Sequence, residues 1–304
     1  MRSYTDVFGA TPLHFGIKGR DSAVASYVSA IQSLGFENAL KVPANTLVEI
    51  NIKDGSISVN SELFEFSLDQ HKEDFSDWDT AFRESIVTCI HNTRGYVFIG
   101  LSSGYDSGGI SCELNAQGVD YKSYSLLGIE DKEILEERMC ITAEHSQSEL
   151  IPLLQQDIQK AGAYVRDYIE EPRLYISSDG TGHVETPSLH KDGGAVGLAM
   201  VCARAKSEKH KLYLSGQGAD EILSDYGFAG NRFYPHSNFG DLFPDDLSEI
   251  FPWASFYGVS HESYLRKEEY VAGSFGIETR YLYLDTNIVQ EFLNLTPKTK
   301  KLLL

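Results

Sequence analysis

The spacing of apolar and polar residues changes character along the chain, and each change predicts an element. Over 42–52, and again over 56–59, the two kinds alternate, which predicts a hairpin turning at Asp54-Gly55. Before it, 5–16 carries turn residues between short apolar runs, and 21–31 reads as a short helix capped by Asp21-Ser22. Residues 1–70 therefore predict a small β-rich unit that needs something to pack against. The stretch 68–78 is polar and acidic and reads as a linker. From 79 to 90 the period becomes helical, with Ala81, Phe82, Ile86, Val87 and Ile90 on one face.

Tyr96-Val97-Phe98-Ile99-Gly100-Leu101 is continuously apolar, as in a strand covered on both faces. Helical spacing resumes at Ile110 and runs through Cys112 and Leu114, and 121–127 predicts a second strand. A strand, a helix and a strand in that order predict a parallel pair. Helices are expected over 131–143, 149–169 and 193–205, and a third strand over 211–214. Residues 228–252 are aromatic and loop-rich, and 263–270 and 287–293 look helical. The expected fold class is α/β: a parallel sheet with helices on both faces, preceded by the β-rich unit.

Composition narrows the function. The chain has 304 residues, 42% of them apolar and 23% charged, enough for one large or two modest domains. Its net charge of −18, with no basic stripe, argues against nucleic acid as a partner. ATP stays open, because backbone amides and a metal can hold it. The four cysteines, Cys89, Cys112, Cys140 and Cys202, form no CxxC pair, which points to a reducing cytoplasm. No apolar run is long enough to span a bilayer and no signal peptide is visible, so a cytoplasmic location without a membrane partner is expected.

Two loops carry the candidate chemistry. Ser102-Ser103-Gly104-Tyr105-Asp106-Ser107-Gly108-Gly109 joins the strand at 96–101 to a helix. Small residues before a helix N-terminus let an anion approach backbone N–H groups. Asp106 would repel a bare phosphate but suits a divalent cation that in turn holds phosphates. Taken alone, the loop is equally an ordinary strand-to-helix turn. Ser215-Gly216-Gln217-Gly218-Ala219-Asp220-Glu221 follows the third strand in the same manner. In an open α/β sheet both loops lie at the carboxyl ends of strands, so Asp106 and Asp220 are expected to share one Mg²⁺. For Asp220-Glu221 alone, favourable charge at a helix N-terminus is the plainer account.

Together these stretches resemble the asparagine synthetase family. Leu101-Ser102-Ser103-Gly104-Tyr105-Asp106-Ser107 is similar to the SGGxDS loop of N-type ATP pyrophosphatases. Leu214-Ser215-Gly216-Gln217-Gly218-Ala219-Asp220-Glu221 resembles LSGEGADE, and Gly276-Ile277-Glu278-Thr279-Arg280-Tyr281-Leu282-Tyr283-Leu284-Asp285 resembles GVEARVPFLD. Asp6-Val7-Phe8-Gly9-Ala10-Thr11-Pro12-Leu13 and Val42-Pro43-Ala44 resemble the DxxGxxPL and VPPG segments of the glutaminase domain. The resemblance implies a C-terminal remnant of an Ntn-type glutaminase domain over 1–70. It implies an adenine nucleotide alpha hydrolase-like ATP-pyrophosphatase (synthetase) domain over 71–304, cut short at its C-terminus.

The activity implied is an ATP-dependent amide ligase that adenylates aspartate or a similar carboxylate, with ATP and Mg²⁺ as cofactors, pyrophosphate and AMP as products, and a small amine donor. Ser102 to Ser107 would hold the pyrophosphate. Leu101, Leu127 and Gly128 would line the adenine pocket, Ser215 and Gly216 would meet the nucleotide or acyl group, and Asp106 and Asp220 would hold the metal. Gln217, Glu278, Arg280 and Lys300 would be the catalytic side chains, although a structural salt bridge is the plainer account of Glu278 and Arg280. A separate glutaminase chain and a homodimer are conceivable partners.

The departures from the family pattern bear on the second half of the reaction. Residue 2 is Arg and no Cys precedes Cys89, so no glutaminase nucleophile is present and glutamine hydrolysis is not expected. Gln217 replaces a Glu and cannot act as a base. Glu268 and Glu269 are the nearest substitutes, although a solvated helix face is the plainer account of Arg266-Lys267-Glu268-Glu269. Ser103 replaces a Gly, and Leu282-Tyr283 replace Pro-Phe. Lys300 lies in a basic tail, 298–301, whose register on the family's lysine segment is open. Two other readings remain: a cyclase or amide ligase of the β-lactam synthetase or lasso-peptide type, and a nucleotide-binding fragment without turnover.

Overall fold

The structure is a computed structural model that describes residues 1–301 apart from 20, 52–55, 62, 92, 94–96, 129, 170–174, 177–182, 185–187, 229, 233–236, 238 and 259. The first elements are β1 (Arg2–Tyr4), β2 (His14–Lys18), β3 (Asp21–Ala25), α1 (Val28–Ser33), β4 (Leu40–Lys41), β5 (Thr46–Ile50) and β6 (Ile57–Ser61). They make two small antiparallel sheets, β1-β5-β6 and β3-β2-β4. The β5–β6 hairpin forms as its alternation predicts; Asp54-Gly55 lies outside the described residues. The helix expected over 21–31 does not form as such. Asp21 to Ala25 pair with β2 instead, and the helix starts only at Val28. Partner-strand hydrogen bonds outweigh the weak local preference of this stretch.

The rest of the chain supplies α2 (Ser76–Ile90), β7 (Val97–Gly100), α3 (Tyr105–Ala116), β8 (Tyr121–Leu127), α4 (Lys132–Ile141), β9 (Ser146–Pro152) and α5 (Gln155–Tyr168). A two-residue ladder of β10 (Tyr175–Ile176) with β11 (His183–Val184) follows. Then come α6 (Gly193–Ser207), β12 (Leu212–Ser215), a short pair β13 (Gly227–Phe228) and β14 (Asn231–Arg232), α7 (Ala254–Tyr257) and α8 (Ser260–Ser274). The chain closes with β15 (Glu278–Tyr281), α9 (Thr286–Asn294) and α10 (Pro297–Lys300).

Five strands form one parallel sheet in the order β15-β12-β7-β8-β9. Successive residues of its central strands face opposite sides. Val97, Ile99, Leu212 and Leu214 pack with Ile86, Ile110, Leu114, Ile288 and Phe292 of α2, α3 and α9. Phe98 and Tyr213 stack on each other at 5.2 Å and pack with Val201, Cys202, Ala205 and Ala272 of α6 and α8. Burial on both faces explains the unbroken apolar run at 97–101.

Two expectations change. Residues 149–152 are not the start of a helix but the end of β9, paired with β8 as far as Leu127↔Pro152. Apolar residues at 150, 151, 153 and 154 suit either element, and Pro152 ends the ladder two residues before α5 is capped at Leu154. The third motif, read only as a motif, contributes the edge strand β15.

The order of strands places the site. From β7 the sheet winds outward through β8 to β9, then returns through α6 to β12 on the other side of β7. The turning point lies between the carboxyl ends of β7 and β12, where an open α/β sheet leaves its crevice.

The N-terminal unit packs against α7 and α8. Phe8 touches Phe66, Phe256, Tyr257 and His261, Tyr27 stacks on Tyr270 at 5.0 Å, and Lys41 pairs with Glu262. The expected linker is tied down as well: the N–H groups of His71 and Lys72 donate to the Asn294 carbonyl at 2.8 and 2.9 Å.

Candidate active site

β7 ends at Gly100, and the next residue is held on both sides. Leu101 is buried, its N–H donates to the Tyr124 carbonyl at 2.9 Å, and its own carbonyl accepts from Ser125 Oγ at 2.7 Å. Serines then brace the loop. The Ser102 N–H donates to Ser107 Oγ at 2.9 Å, the two hydroxyls lie 2.8 Å apart, and the Gly104 N–H donates to Ser102 Oγ at 3.1 Å. Arg138 of α4 grips the loop from outside, with Nη1 donating to the carbonyls of Ser102 and Gly104 at 2.6 Å each.

The helix begins at Tyr105, not at Ile110, because Gly104 already serves as its N-cap. Asp106 and Ser107 thus sit in the first turn. As N-cap, Gly104 has no side chain to accept from the first-turn amides, and a first turn has no intrahelical acceptor for them. The N–H groups of Tyr105, Asp106 and Ser107 are therefore free to meet an anion.

The second loop closes against the first. A Cβ on Gly216 would lie 2.9 Å from Asp106 Cβ, so only glycine permits the approach. Gly218 has φ +103° and would clash with Leu284 if it carried a Cβ. Glu221, fully buried, organises the turn: its carboxylate accepts from the Gly218 N–H at 3.0 Å, the Gln217 side-chain amide at 2.5 Å and the Tyr226 hydroxyl. Asp220–Ser224 is a π-helical turn, a geometry frequent at functional sites.

Asp106 and Asp220 come together as their positions at adjacent strand ends predict. Burial first, and then the charges of Asp220 and Glu221, push the Asp106 carboxyl upward. Burial and Glu221 do the same to Asp220. A cluster of carboxyls that resist ionisation is relieved by a cation. All-oxygen donors suit Mg²⁺. Among the described residues no group of three or more His, Cys, Asp or Glu could hold a metal ion, so a cation here would need phosphate oxygens and water beside the two aspartates. Asp106 and Asp220 supply two oxygen donors, a part of what Mg²⁺ takes.

The cleft holds about 230 Å³. Its floor is Asp106, Gly216, Gln217, Asp220, Glu221 and Tyr226, and its wall is Tyr264 and Lys267 of α8. The pattern of α8 did not announce that wall; only the spacing of Tyr264, Lys267 and Glu268 places them on one face. Lys267 Nζ lies 4.6 Å from the centre of the Tyr264 ring and 3.5 Å from Asp192. Glu268 is half-buried, not a solvated residue: it accepts from Ser215 Oγ at 2.6 Å, and burial pushes its carboxyl up to about 7. Glu269 accepts from the Tyr281 hydroxyl at 3.1 Å and is likewise raised to about 7, first by burial. Packing against both the sheet and the N-terminal unit half-buries these two carboxyls.

Several expected residues do not reach the cleft. Parallel register sets Glu278 opposite Leu212, at the amino end of β12 and away from the crevice. Arg280 pairs with Glu278 at 2.8 Å and donates to the Cys89 carbonyl at the end of α2, so the two make the structural ion pair. Lys300 lies away from the cleft and is no loose tail: its ammonium is buried against Gln70 Oε1 at 2.7 Å and the carbonyls of Leu293 and Leu295 at the end of α9. Leu127 and Gly128 do lie at the carboxyl end of β8, with Leu127 partly exposed. Gln217 is at the cleft, but its amide is committed to Glu221. The sequence reading missed Tyr283, whose hydroxyl donates to the Asp106 carbonyl at 3.0 Å and joins the third motif to the first loop. The Tyr in place of the usual Phe was the available signal.

A scan against protein-family models finds no match for this chain, and a search of the curated proteins finds none.

Proposed function

We propose that the chain is an ATP-dependent, amide-forming ligase of the asparagine synthetase type, which adenylates a carboxylate. One observation carries the reading: two strand-to-helix loops at the turning point of a parallel sheet bring Asp106 and Asp220 into one cleft beside open helix amides. The substrate carboxylate oxygen attacks the α-phosphorus of ATP, the bond to the bridging oxygen breaks, and pyrophosphate leaves. The amides of Tyr105, Asp106 and Ser107 take charge that develops on the departing group. Mg²⁺, held by Asp106 and Asp220, would supply further neutralisation of that charge. The amine nitrogen then attacks the acyl carbon, the acyl–oxygen bond breaks, AMP leaves, and the amine loses a proton.

The proton acceptor differs from the family pattern. Gln217 has no basicity and is already bonded, whereas Glu268 ends a short path through Ser215 Oγ. A carboxyl near 7 suits a base working at neutral pH. This favours, as a second reading, a cyclase or ligase whose base lies outside the second loop. Release of pyrophosphate from ATP with a panel of carboxylates tests both. Release with aspartate and ammonia supports the first, and release with another acid supports the second. ATP binding without release for any acid, at high ammonia, refutes both. Asp106→Ala is expected to weaken Mg²⁺-dependent ATP binding by about 100-fold, a loss on the order of 3 kcal/mol for a charged contact. Unchanged affinity by calorimetry would contradict the metal position.

A further inference from the structure

Glu130 makes a contact that this chemistry does not use. Its Oε2 accepts from the Ser103 N–H at 2.6 Å and from the Ser103 hydroxyl at 2.5 Å. Both donors belong to the loop assigned above to phosphate. A carboxylate oxygen and a phosphate oxygen make the same demand of such donors, a short charge-assisted hydrogen bond. The other loop donors are either used internally, at Ser102 and Gly104, or left open, at 105–107. Glu130 thus covers one end of an anion seat whose other end is free.

Resting on the ligase reading, we propose that Glu130 is a specificity-determining residue: an intramolecular competitor that a phosphate must displace from Ser103. The surroundings fit an exchangeable contact. Glu130 immediately precedes Asp131, which caps α4 by accepting from the N–H groups of Glu133 and Ile134 at 3.0 and 3.2 Å. Arg138, on the same helix, holds the carbonyls of Ser102 and Gly104. The Asp131 N–H also donates to Ser103 Oγ at 3.2 Å, so α4 can stay on the loop through Asp131 and Arg138 while the Glu130 side chain alone rotates away. Ser103 strengthens the grip, because glycine, the usual residue of the resembled loop, offers no hydroxyl. A ligand with several anionic oxygens and a cation for Asp106 and Asp220 meets this cost; an isolated phosphate, with fewer contacts, does not.

Calorimetry on the full chain with magnesium pyrophosphate, MgATP and adenosine tests the proposal. Glu130→Ala is expected to tighten pyrophosphate and ATP about tenfold, the worth of one charged hydrogen bond, and to leave adenosine unchanged. Ser103→Gly, which removes the hydroxyl with its β-carbon and keeps the backbone N–H, should tighten the same two ligands by less. Unchanged or weaker pyrophosphate binding in Glu130→Ala, with wild-type melting behaviour, overturns the proposal, since Glu130 then only shapes the loop. Should that variant fold poorly, Ser103→Gly decides: tighter binding supports displacement and unchanged binding refutes it. If the wild type binds ATP and neither variant gains, this inference alone falls. If no form of the protein binds ATP or pyrophosphate, the ligase reading falls with it.

Discussion

Glu268 shows how one side chain's meaning depends on what covers it. With its carboxyl raised from 4.5 to about 7, the folded state holds the proton more tightly than the unfolded chain. Ionising it therefore costs stability, beginning as pH rises above 4.5 and complete above about 7. Glu268→Gln should leave stability nearly unchanged at pH 5 and raise it at pH 8, by about 3 kcal/mol at most. Thermal melts at the two pH values check this; equal effects at both would show that the carboxyl ionises normally. In the reaction, the same variant should keep pyrophosphate release and lose amide formation, together with the rise in amide rate through pH 7. A polar tetrapeptide such as Arg266-Lys267-Glu268-Glu269 reads as solvated because local composition cannot register a second unit packed on the same helix. Asp106 and Asp220 were legible because strand-to-helix loops reveal their own position.

Among the elements, the pair of site loops has the least room for change. Gly216→Ala would drive a methyl to within 2.9 Å of Asp106 Cβ, and either the loops part or the Asp106 backbone shifts. A loss of about 1–3 kcal/mol in stability is expected from such overpacking. Magnesium-dependent nucleotide affinity should fall along with it, and equilibrium unfolding with calorimetry on one sample measures both. Wild-type values for both would mean that the loops are not held together by this contact. The sheet that carries these loops was largely foreseeable. Residues 97–101, 121–127 and 211–214 carry the apolar density of buried strands. β9 and β15 were not foreseen: they are edge strands with half-exposed, mixed residues, and their pairing depends on a neighbour that local sequence does not name.

At the scale of the molecule, Lys300 joins the C-terminal helices to the linker through Gln70, Leu293 and Leu295. Burial lowers its ammonium from 10.5 to about 7. The folded state therefore binds this proton less tightly than the unfolded chain, and stability should rise as pH increases from about 7 to 10.5. Lys300→Met should abolish that rise and leave ATP affinity unchanged. A loss of ATP affinity at constant stability would return Lys300 to the active site. The lysine's basic neighbours at 298 and 301 made it look like a solvated tail, since its three acceptors lie at 70, 293 and 295. The attachment of the N-terminal unit through Phe8, Tyr27 and Lys41 was hidden for the same reason.

The strand order also bears on the birth of the protein at the ribosome. β7, β8 and β9 are made early and can pair as they emerge, but β7 must wait for β12 and so leaves one edge bare during synthesis. An unpaired, wholly apolar strand such as Val97–Gly100 is a template for association with another nascent chain. The same wait delays the cleft, because Asp106 meets Asp220 only once β12 has entered. Pairing of this sequence separation makes for slow folding, so translation speed and chaperone access should govern the yield of active protein.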